Sequence, residues 1–446
     1  MRTLPSLLLS VATGAVLLAA APAAGAAPWS GPQGFFVGGD DTSDPVPRAA
    51  IARDGTSALA FRSKSGALML ATASRSGRFG AARVVERKGA RDYSIAAATG
   101  GAVLLAWVQS DGLHAAVRTN AGRRIVERRY DSGPRSAIDV VQVAADPRGG
   151  WVLAQRVFPH RVRPNRLSGV RALSLDRAGR QLGPVQDLGA GSFGIDARPT
   201  QALAVAPDGR AVLTFRREAV AFDAPTPVVV ATRPHGATYG APVALAGDPA
   251  GDPAGDPRVA IGEDGRTLIA ATQIRSRGDA GVFGNPVVAA VSPAGALGAP
   301  VGPVLSNPKR AFAPTAVPTA AGRSVLVFQL KTRSEPFVTE APVRAVAIGA
   351  DGGFGRLQTL TSGRAKEPVV TPLSRGRTLT VWSGRRGLDA RLAGPDGTFR
   401  RTAPPTGPPP SPFHFNSTNR DLRTAGRYAI FTWARDGRVR VTVRRF

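Results

Sequence analysis

Residues 201–215 read Gln-Ala-Leu-Ala-Val-Ala-Pro-Asp-Gly-Arg-Ala-Val-Leu-Thr-Phe. A small apolar run meets a turn at Asp208-Gly209, and a short strand leaves it to end on the ring of Phe215. An Asp-Gly pair supplies the positive φ that a tight hairpin requires. The outgoing strand is apolar on both faces, so both faces must be covered. The same unit recurs along the chain. Its turn glycines are Gly55, Gly101, Gly149, Gly209, Gly265, Gly322, Gly376 and Gly426, and five of them are followed by Arg. Six residues beyond the first seven stand Phe61, Trp107, Gln155, Phe215, Ala271, Phe328 and Trp382; Trp433 follows the eighth one residue later. A Pro precedes the glycine by eight residues at Pro47, Pro257, Pro314 and Pro368. Successive strand-end residues are 46, 48, 60, 56, 57, 54 and 51 apart, the period of a four-stranded blade.

The rest of each unit fits that architecture. Third strands alternate, with Val343, Ala345 and Ala347 on one face and Arg344, Val346 and Ile348 on the other. Innermost strands such as Gln201–Ala206 are rich in Ala, which lets them crowd around an axis. A single unit leaves both faces bare, so only an array covers them. The fold expected is all-β: a single β-propeller of about eight four-stranded blades, or seven if one unit is a side insertion. The blades fall near residues 45–90, 91–135, 136–192, 197–250, 256–308, 312–363, 366–403 and 417–446. The last unit has only three strands before the chain ends. Trp29-Ser30-Gly31-Pro32 matches the opening of fourth strands elsewhere, as at Tyr239-Gly240-Ala241-Pro242 and Leu297-Gly298-Ala299-Pro300. Residues 29–38 are therefore expected to complete the last blade and remove both free edges.

Two other all-β readings compete. Phe446 and the alternation of Val439, Val441 and Val443 suggest an outer-membrane barrel, but Arg440, Arg444 and Arg445 suit a lipid-facing strand poorly. A row of β-sandwiches gives no reason for a strand shared between the two ends of the chain.

Units such as Pro257–Ala270 through Pro286–Val291 resemble blades of secreted bacterial β-propellers, in particular the sialidase-like and TolB-like repeat propellers of high-GC bacteria. The resemblance spans residues 29–446 and implies the fold. Sialidase-type Asp boxes combine Ser, Asp, Gly and Trp in one turn. Here Arg53-Asp54-Gly55 and Pro207-Asp208-Gly209 retain only the Asp-Gly, a departure from that motif; a glycoside hydrolase or lyase of sialidase-like propeller type stays as an alternative.

The first 26 residues read as a secretory signal peptide: Arg2, an apolar stretch from Leu7 to Ala20, and a small-residue close at Ala24-Gly25-Ala26. The mature chain is then expected to be secreted or attached to the cell envelope, with no transmembrane segment. The absence of Cys excludes disulfides, thiol catalysis and thiolate metal sites. The formal net charge of +27 is carried almost wholly by Arg. It points either to an anionic partner or to the Arg, Ala, Gly and Pro bias of a GC-rich genome.

In a propeller the second-to-third loops and the blade-to-blade connections share one face, where ligands usually meet. Long basic second-to-third loops cluster in units three to six. The candidate ligand residues are His160, Arg161, Arg163, Arg166, Arg216, Arg275, Arg277, Lys331 and Arg333. Glu218, Glu335 and Glu340 fall in the same loops. The Gly-Asp-Pro-Ala repeat in 247–257 does not match a calcium loop, and 401–412 reads as a Pro-rich connector. His114, His160, His235 and His414 show no zinc spacing, and no nucleophile elbow is present. Tyr93, Tyr130, Tyr239 and Tyr428 fall at strand positions, which suits packing better than nucleophilic chemistry. The expected function is non-enzymatic binding by a monomer of an anionic polysaccharide or a protein, with no cofactor, no metal and no specific nucleic acid. A glycoside hydrolase or lyase, and a structural part of an envelope complex, are the alternatives.

Overall fold

The computed structural model describes residues 28–37, 46–87, 89–119, 125–130, 136–159, 168–191, 201–217, 227–245, 257–276, 282–303, 305, 310–331, 340–363, 365–384, 387–405, 420–435 and 437–446. The described residues form strands and turns and no helix. They make eight antiparallel four-stranded blades arranged as an eight-bladed β-propeller, so the seven-blade alternative falls.

Strand β1 (Gln33–Phe36) is followed by blade 1, made of β2 (Arg48–Ile51), β3 (Ser57–Arg62), β4 (Leu68–Ala73) and β5 (Arg83–Glu86). Blade 2 holds β6 (Tyr93–Ala97), β7 (Val103–Gln109), β8 (Gly112–Arg118) and β9 (Ile125–Tyr130). Blade 3 holds β10 (Ser136–Ala145), β11 (Trp151–Pro159), β12 (Ser168–Leu175) and β13 (Gln186–Gly191). Blade 4 holds β14 (Gln201–Val205), β15 (Ala211–Arg216), β16 (Val228–Arg233) and β17 (Val243–Ala244). In blade 5, β18 (Arg258–Ile261), β19 (Thr267–Ser276) and β20 (Val282–Val291) are completed by single bridges from Leu297 and Val301. Blade 6 holds β21 (Arg310–Pro318), β22 (Ser324–Lys331), β24 (Val343–Ile348) and β25 (Gln358–Thr359), with a short β23 (Glu340–Ala341) on its second-to-third connection. Blade 7 holds β26 (Ala365–Leu373), β27 (Arg377–Gly384), β28 (Gly387–Ala393) and β29 (Phe399–Arg401). Blade 8 holds β30 (Arg420–Ala425), β31 (Tyr428–Arg435) and β32 (Arg438–Arg445).

The repeat explains this geometry residue by residue. All eight turn glycines have positive φ, from 56° at Gly426 to 118° at Gly149. The eight strand-end residues are all buried, including the two that are not aromatic, Gln155 and Ala271. Sandwiching between blades divides the core into eight apolar layers, one at each blade interface. Trp107 packs toward blade 1 with Leu68 and Tyr93, whereas Trp382 packs toward blade 6 with Val327 and Val343.

Strand β1 pairs with β32 and is the outer strand of blade 8. Gly80, Gly240, Gly298 and Gly355 each donate a backbone hydrogen bond to the third strand of their own blade; Ser30 does the same to Val443 O at 2.8 Å. Trp29 is buried, donates from Nε1 to Ala403 O, and meets Phe446 edge-on. The two ends of the chain thus close one sheet.

A polar device that the repeat pattern does not show joins three pairs of adjacent blades. Gln33, Gln186 and Gln358 lie on fourth strands, four residues after Trp29, Leu182 and Phe354. Each side-chain carbonyl accepts the backbone N–H of an aromatic residue of the next blade: Phe79, Tyr239 and Phe399. The amides of Gln186 and Gln358 also donate to Tyr239 O and Gly397 O.

Candidate functional site

Second strands start one or two residues beyond the turn glycine, so their lengths measure how far each blade rises toward the second-to-third loop face. Strand β3 has 6 residues and β15 has 6, whereas β11 has 9 and β19 has 10. At ~3.3 Å per residue, four extra residues raise blade 5 by about 13 Å above blade 1. The inner strands β10, β21 and β26 are long as well, and each carries a register shift, at Ile138/Val140, Phe312/Thr315 and Lys366/Val369. A bulge lets a long strand bend away from the axis.

In blades 5 to 7 the raised parts join. Gly284 of β20 pairs in parallel with Arg310 of β21, and β23 pairs with β26 through Glu340–Lys366 and Ala341–Ala365. The buried Gln329 amide donates to Ala341 O and Ala365 O, tying blade 6 to blade 7. The outcome is a continuous wall over blades 5 to 7 facing a low rim at blades 1 and 2.

This wall receives part of the predicted set. Register runs from Ile274 to Gly284, then Arg310, then Lys331. Arg275 follows Ile274, so Arg275, Arg310 and Lys331 share one level across four adjacent strands. Arg310 was missed in the sequence because nothing marked it as part of a loop lip. Arg216 closes β15 in blade 4 and is half-buried. His160, Arg161, Arg163, Arg166, Arg277 and Arg333 lie outside the described residues, as do the signal peptide, Glu218, Glu335, most of the Gly-Asp-Pro-Ala repeat and His414.

On the low rim, blade 2 holds a compact polar cluster. The His114 ring stacks on the buried Trp107, with Nε2 2.9 Å from Asp111 and Nδ1 3.5 Å from Glu127. Arg129 donates to Asp111 O at 2.6 Å and lies 3.5 Å from its carboxylate. The hydrogen bond from His114 holds the Asp111 carboxyl below its ordinary value. Trp107, His114, Glu127 and Arg129 stand on the second to fourth strands and Asp111 on the turn between the second and third, away from the axis. Tyr93, Tyr130 and Tyr239 are poor proton carriers at neutral pH. Burial pushes Tyr130 up to about 12 and raises Tyr93 and Tyr239 further. Tyr239 sits on the turn entering β17 rather than in a strand.

Much of the arginine is structural, a use the sequence reading did not consider. Arg118 and Arg233 end third strands and donate to Thr72 and Ser174, which occupy equivalent positions in the preceding blades. Arg210 is buried and donates to Gly265 O in the next blade; Arg266 donates to Arg323 O in the one after. Asp146 is buried between Arg233 and His235, at 3.4 and 3.0 Å. A guanidinium reaches several acceptors across a blade interface in a fixed plane, which an ammonium cannot. The cation count therefore overstates the charge available to a partner.

No protein-family model and no curated protein matches the sequence. Solved structures that resemble it are β-propeller proteins. A lectin of Burkholderia pseudomallei is 14% identical, covers 82% of this chain and 98% of its own, and superposes with a TM-score of 0.47. A polysaccharide lyase is 12% identical over 77% of this chain and 88% of its own, with a TM-score of 0.48. An α-L-arabinanase of Penicillium chrysogenum is 12% identical over 69% and 93%, with a TM-score of 0.41. At these identities the likeness concerns the fold alone.

Proposed function

We propose that the chain is an exported, non-enzymatic binding propeller that seats an acidic glycan or wall polymer against the raised wall of blades 5 to 7. The observation that carries this reading is the wall itself. Two strand pairings fuse three blades into one lip, which carries Arg275, Arg310 and Lys331 at one level and faces a low rim. A one-sided wall with an open approach suits an extended ligand laid across the face, and cations at the lip complement an anionic one. By sequence, Arg161, Arg163 and Arg277 belong to the second-to-third connections of blades 3 and 5 and add to the basic content of those connections.

The test is an array of glycans and wall polymers probed with the mature protein at low and physiological salt. One ligand class is expected to be retained at physiological salt and lost when Arg161, Arg163, Arg275 and Arg277 are changed together to Ser. Unaltered retention by that variant would sink the loop-face reading. Release of shortened product from a retained polymer would replace binding with catalysis.

A further inference from the structure

The opposite face, built from first-to-second and third-to-fourth turns, has its own asymmetry. In blades 3, 4 and 5 the first hairpin carries an acid with each arginine: Asp146 with Arg148, Asp208 with Arg210, Asp264 with Arg266. In blades 7 and 8 it carries Arg375, Arg377 and Arg427 and no acid. These hairpins touch. Ser374 N donates to Gly426 O at 2.6 Å, and a Cβ on Gly426 would lie 3.5 Å from Arg53 O of blade 1. Arg445 pairs across the sheet with Tyr428, next to Arg427. Five arginines thus stand on three consecutive blades, each touching the next. Residues 365–446 contain sixteen Lys and Arg against five Asp and Glu, so this fifth of the chain supplies +11 of the +27.

Their environment differs from that of the structural arginines. Arg53, Arg375, Arg427 and Arg445 are exposed, and among the described residues none of the five guanidinium groups is ion-paired. Arg377 Nε donates to Ser374 O in its own turn, and Arg427 lies over the Tyr428 ring at 5.6 Å. Two carboxylates lie near. Glu263 of blade 5 accepts Arg375 N at 2.9 Å and its charge also acts on Arg377, and Asp54, next to Arg53, accepts Thr56 N and Gly100 N with Arg75 at 3.8 Å. Each of these has an oxygen engaged by a backbone N–H. Burial, then the neighbouring charge of Arg375, holds Arg377 below its ordinary value. The backbone sets how Arg375 is presented. Arg375 has φ 62°, a left-handed conformation that is strained for a residue with a side chain. Ala321 shares that conformation at the equivalent position of blade 6, with φ 53°, so the turn shape is common to both hairpins and blade 7 uses it to present an exposed Arg.

We propose that the turn face of blades 7, 8 and 1 is a docking surface for a linear polyanion, a chain with an oxyanion on each repeat. Cations spread over three adjoining turns match charges repeated along a chain, and guanidinium groups take phosphate, sulfate or carboxylate oxygens in pairs. The surface is separate from the loop-face wall, being on the other side of the ring.

The experiment measures affinity of the mature protein for inorganic polyphosphate, for alginate and for phosphatidylglycerol vesicles across a salt series. The variant Arg53→Ser/Arg375→Ser/Arg427→Ser is compared with Arg148→Ser/Arg180→Ser/Arg323→Ser, which removes equal charge from the same face elsewhere. The first variant is expected to lose about tenfold or more in affinity for a soluble chain, and its slope of log affinity against log salt to fall by about 2. The second keeps at least half of the wild-type affinity. Polyphosphate and alginate distinguish phosphate from carboxylate as the oxyanion. Equal loss in both variants would reduce the surface to net charge and overturn the proposal. So would binding to vesicles with no binding to either soluble chain, or loss of soluble-chain binding only in the loop-face quadruple variant. Loss confined to the turn-face variant leaves the loop-face wall to be judged by its own ligand array.

Discussion

The first hairpins of blades 4 and 5 and those of blades 7 and 8 carry the same dipeptide, Gly-Arg, with opposite results. Asp208 and Asp264 hold the middle of the earlier turns and accept the N–H of Arg210 and Arg266. Those arginines turn sideways and donate to backbone carbonyls of the next blade. In blade 7 Arg375 occupies the middle position with a left-handed φ, and blade 8 shortens the turn to Gly426-Arg427. Among the described residues, the arginines following the glycine there make no hydrogen bond to the adjacent blade. In these four hairpins a carboxylate in the turn accompanies the arginines that serve the fold, and its absence or a shorter turn accompanies the exposed ones. Neither shows in a net charge.

The largest expected effect concerns how the later sector is closed. Deleting residues 28–37 removes β1, buried Trp29 and Val37, and the half-buried Phe35. Losing one buried Trp alone costs about 3–5 kcal/mol, and the exposed edge of β32 invites association. Thermal melting should shift sharply downward and light scattering should rise. An unchanged melt would mean the ring holds without its staple.

Next in size is the buried pair that joins blades 3 and 4. Asp146→Ala leaves Arg233, whose side chain is 4% exposed, without its carboxylate. Breaking a buried pair by removing one partner costs about 3–5 kcal/mol. Chemical denaturation should show a lower midpoint with an unchanged slope. By contrast, Arg427→Ser should stay within about 0.5 kcal/mol of wild type, as exposed substitutions do. Similar losses in both variants would erase the distinction between the two sectors.

The fold was legible because its signals are local. A positive-φ glycine, a doubly apolar strand and a fixed distance to the next ring report on each blade without reference to any other, and Trp29-Ser30-Gly31-Pro32 repeats a pattern visible elsewhere. The site was less legible because its geometry is non-local. The row Arg275, Arg310 and Lys331 depends on a parallel bridge between blades 5 and 6. The Gln33, Gln186 and Gln358 clamps depend on which backbone N–H the next blade presents. Arg210 and Arg427 look alike in sequence, and only the neighbouring turn separates them.

A smaller effect is expected from pH at the junction of blades 1 and 2. Burial alone would raise the Asp54 carboxyl, but the N–H groups of Gly100 and Thr56 and the charge of Arg75 outweigh it and hold it below the ordinary 3.8. A depressed folded value means its contribution is present above the ordinary carboxylate range and is lost as pH falls through the folded value. Wild type should therefore lose stability in acid relative to Asp54→Asn, with the two curves converging at the low end. Parallel curves would show that the carboxylate contributes nothing at that junction.

The smallest effect is the most discriminating. Arg375→Gly removes a side chain from a residue with φ 62° and retains the N–H that Glu263 accepts. Relief of the left-handed conformation is worth about 1 kcal/mol, partly offset by the greater freedom of Gly in the unfolded chain. A small net gain in stability is expected, measured as a higher denaturation midpoint, together with weaker polyanion binding. A variant that is both more stable and a poorer binder identifies Arg375 as kept for a partner at the expense of the fold. Lower stability with unchanged binding would instead make it a structural residue like Arg210, and the two kinds of hairpin would differ only in shape.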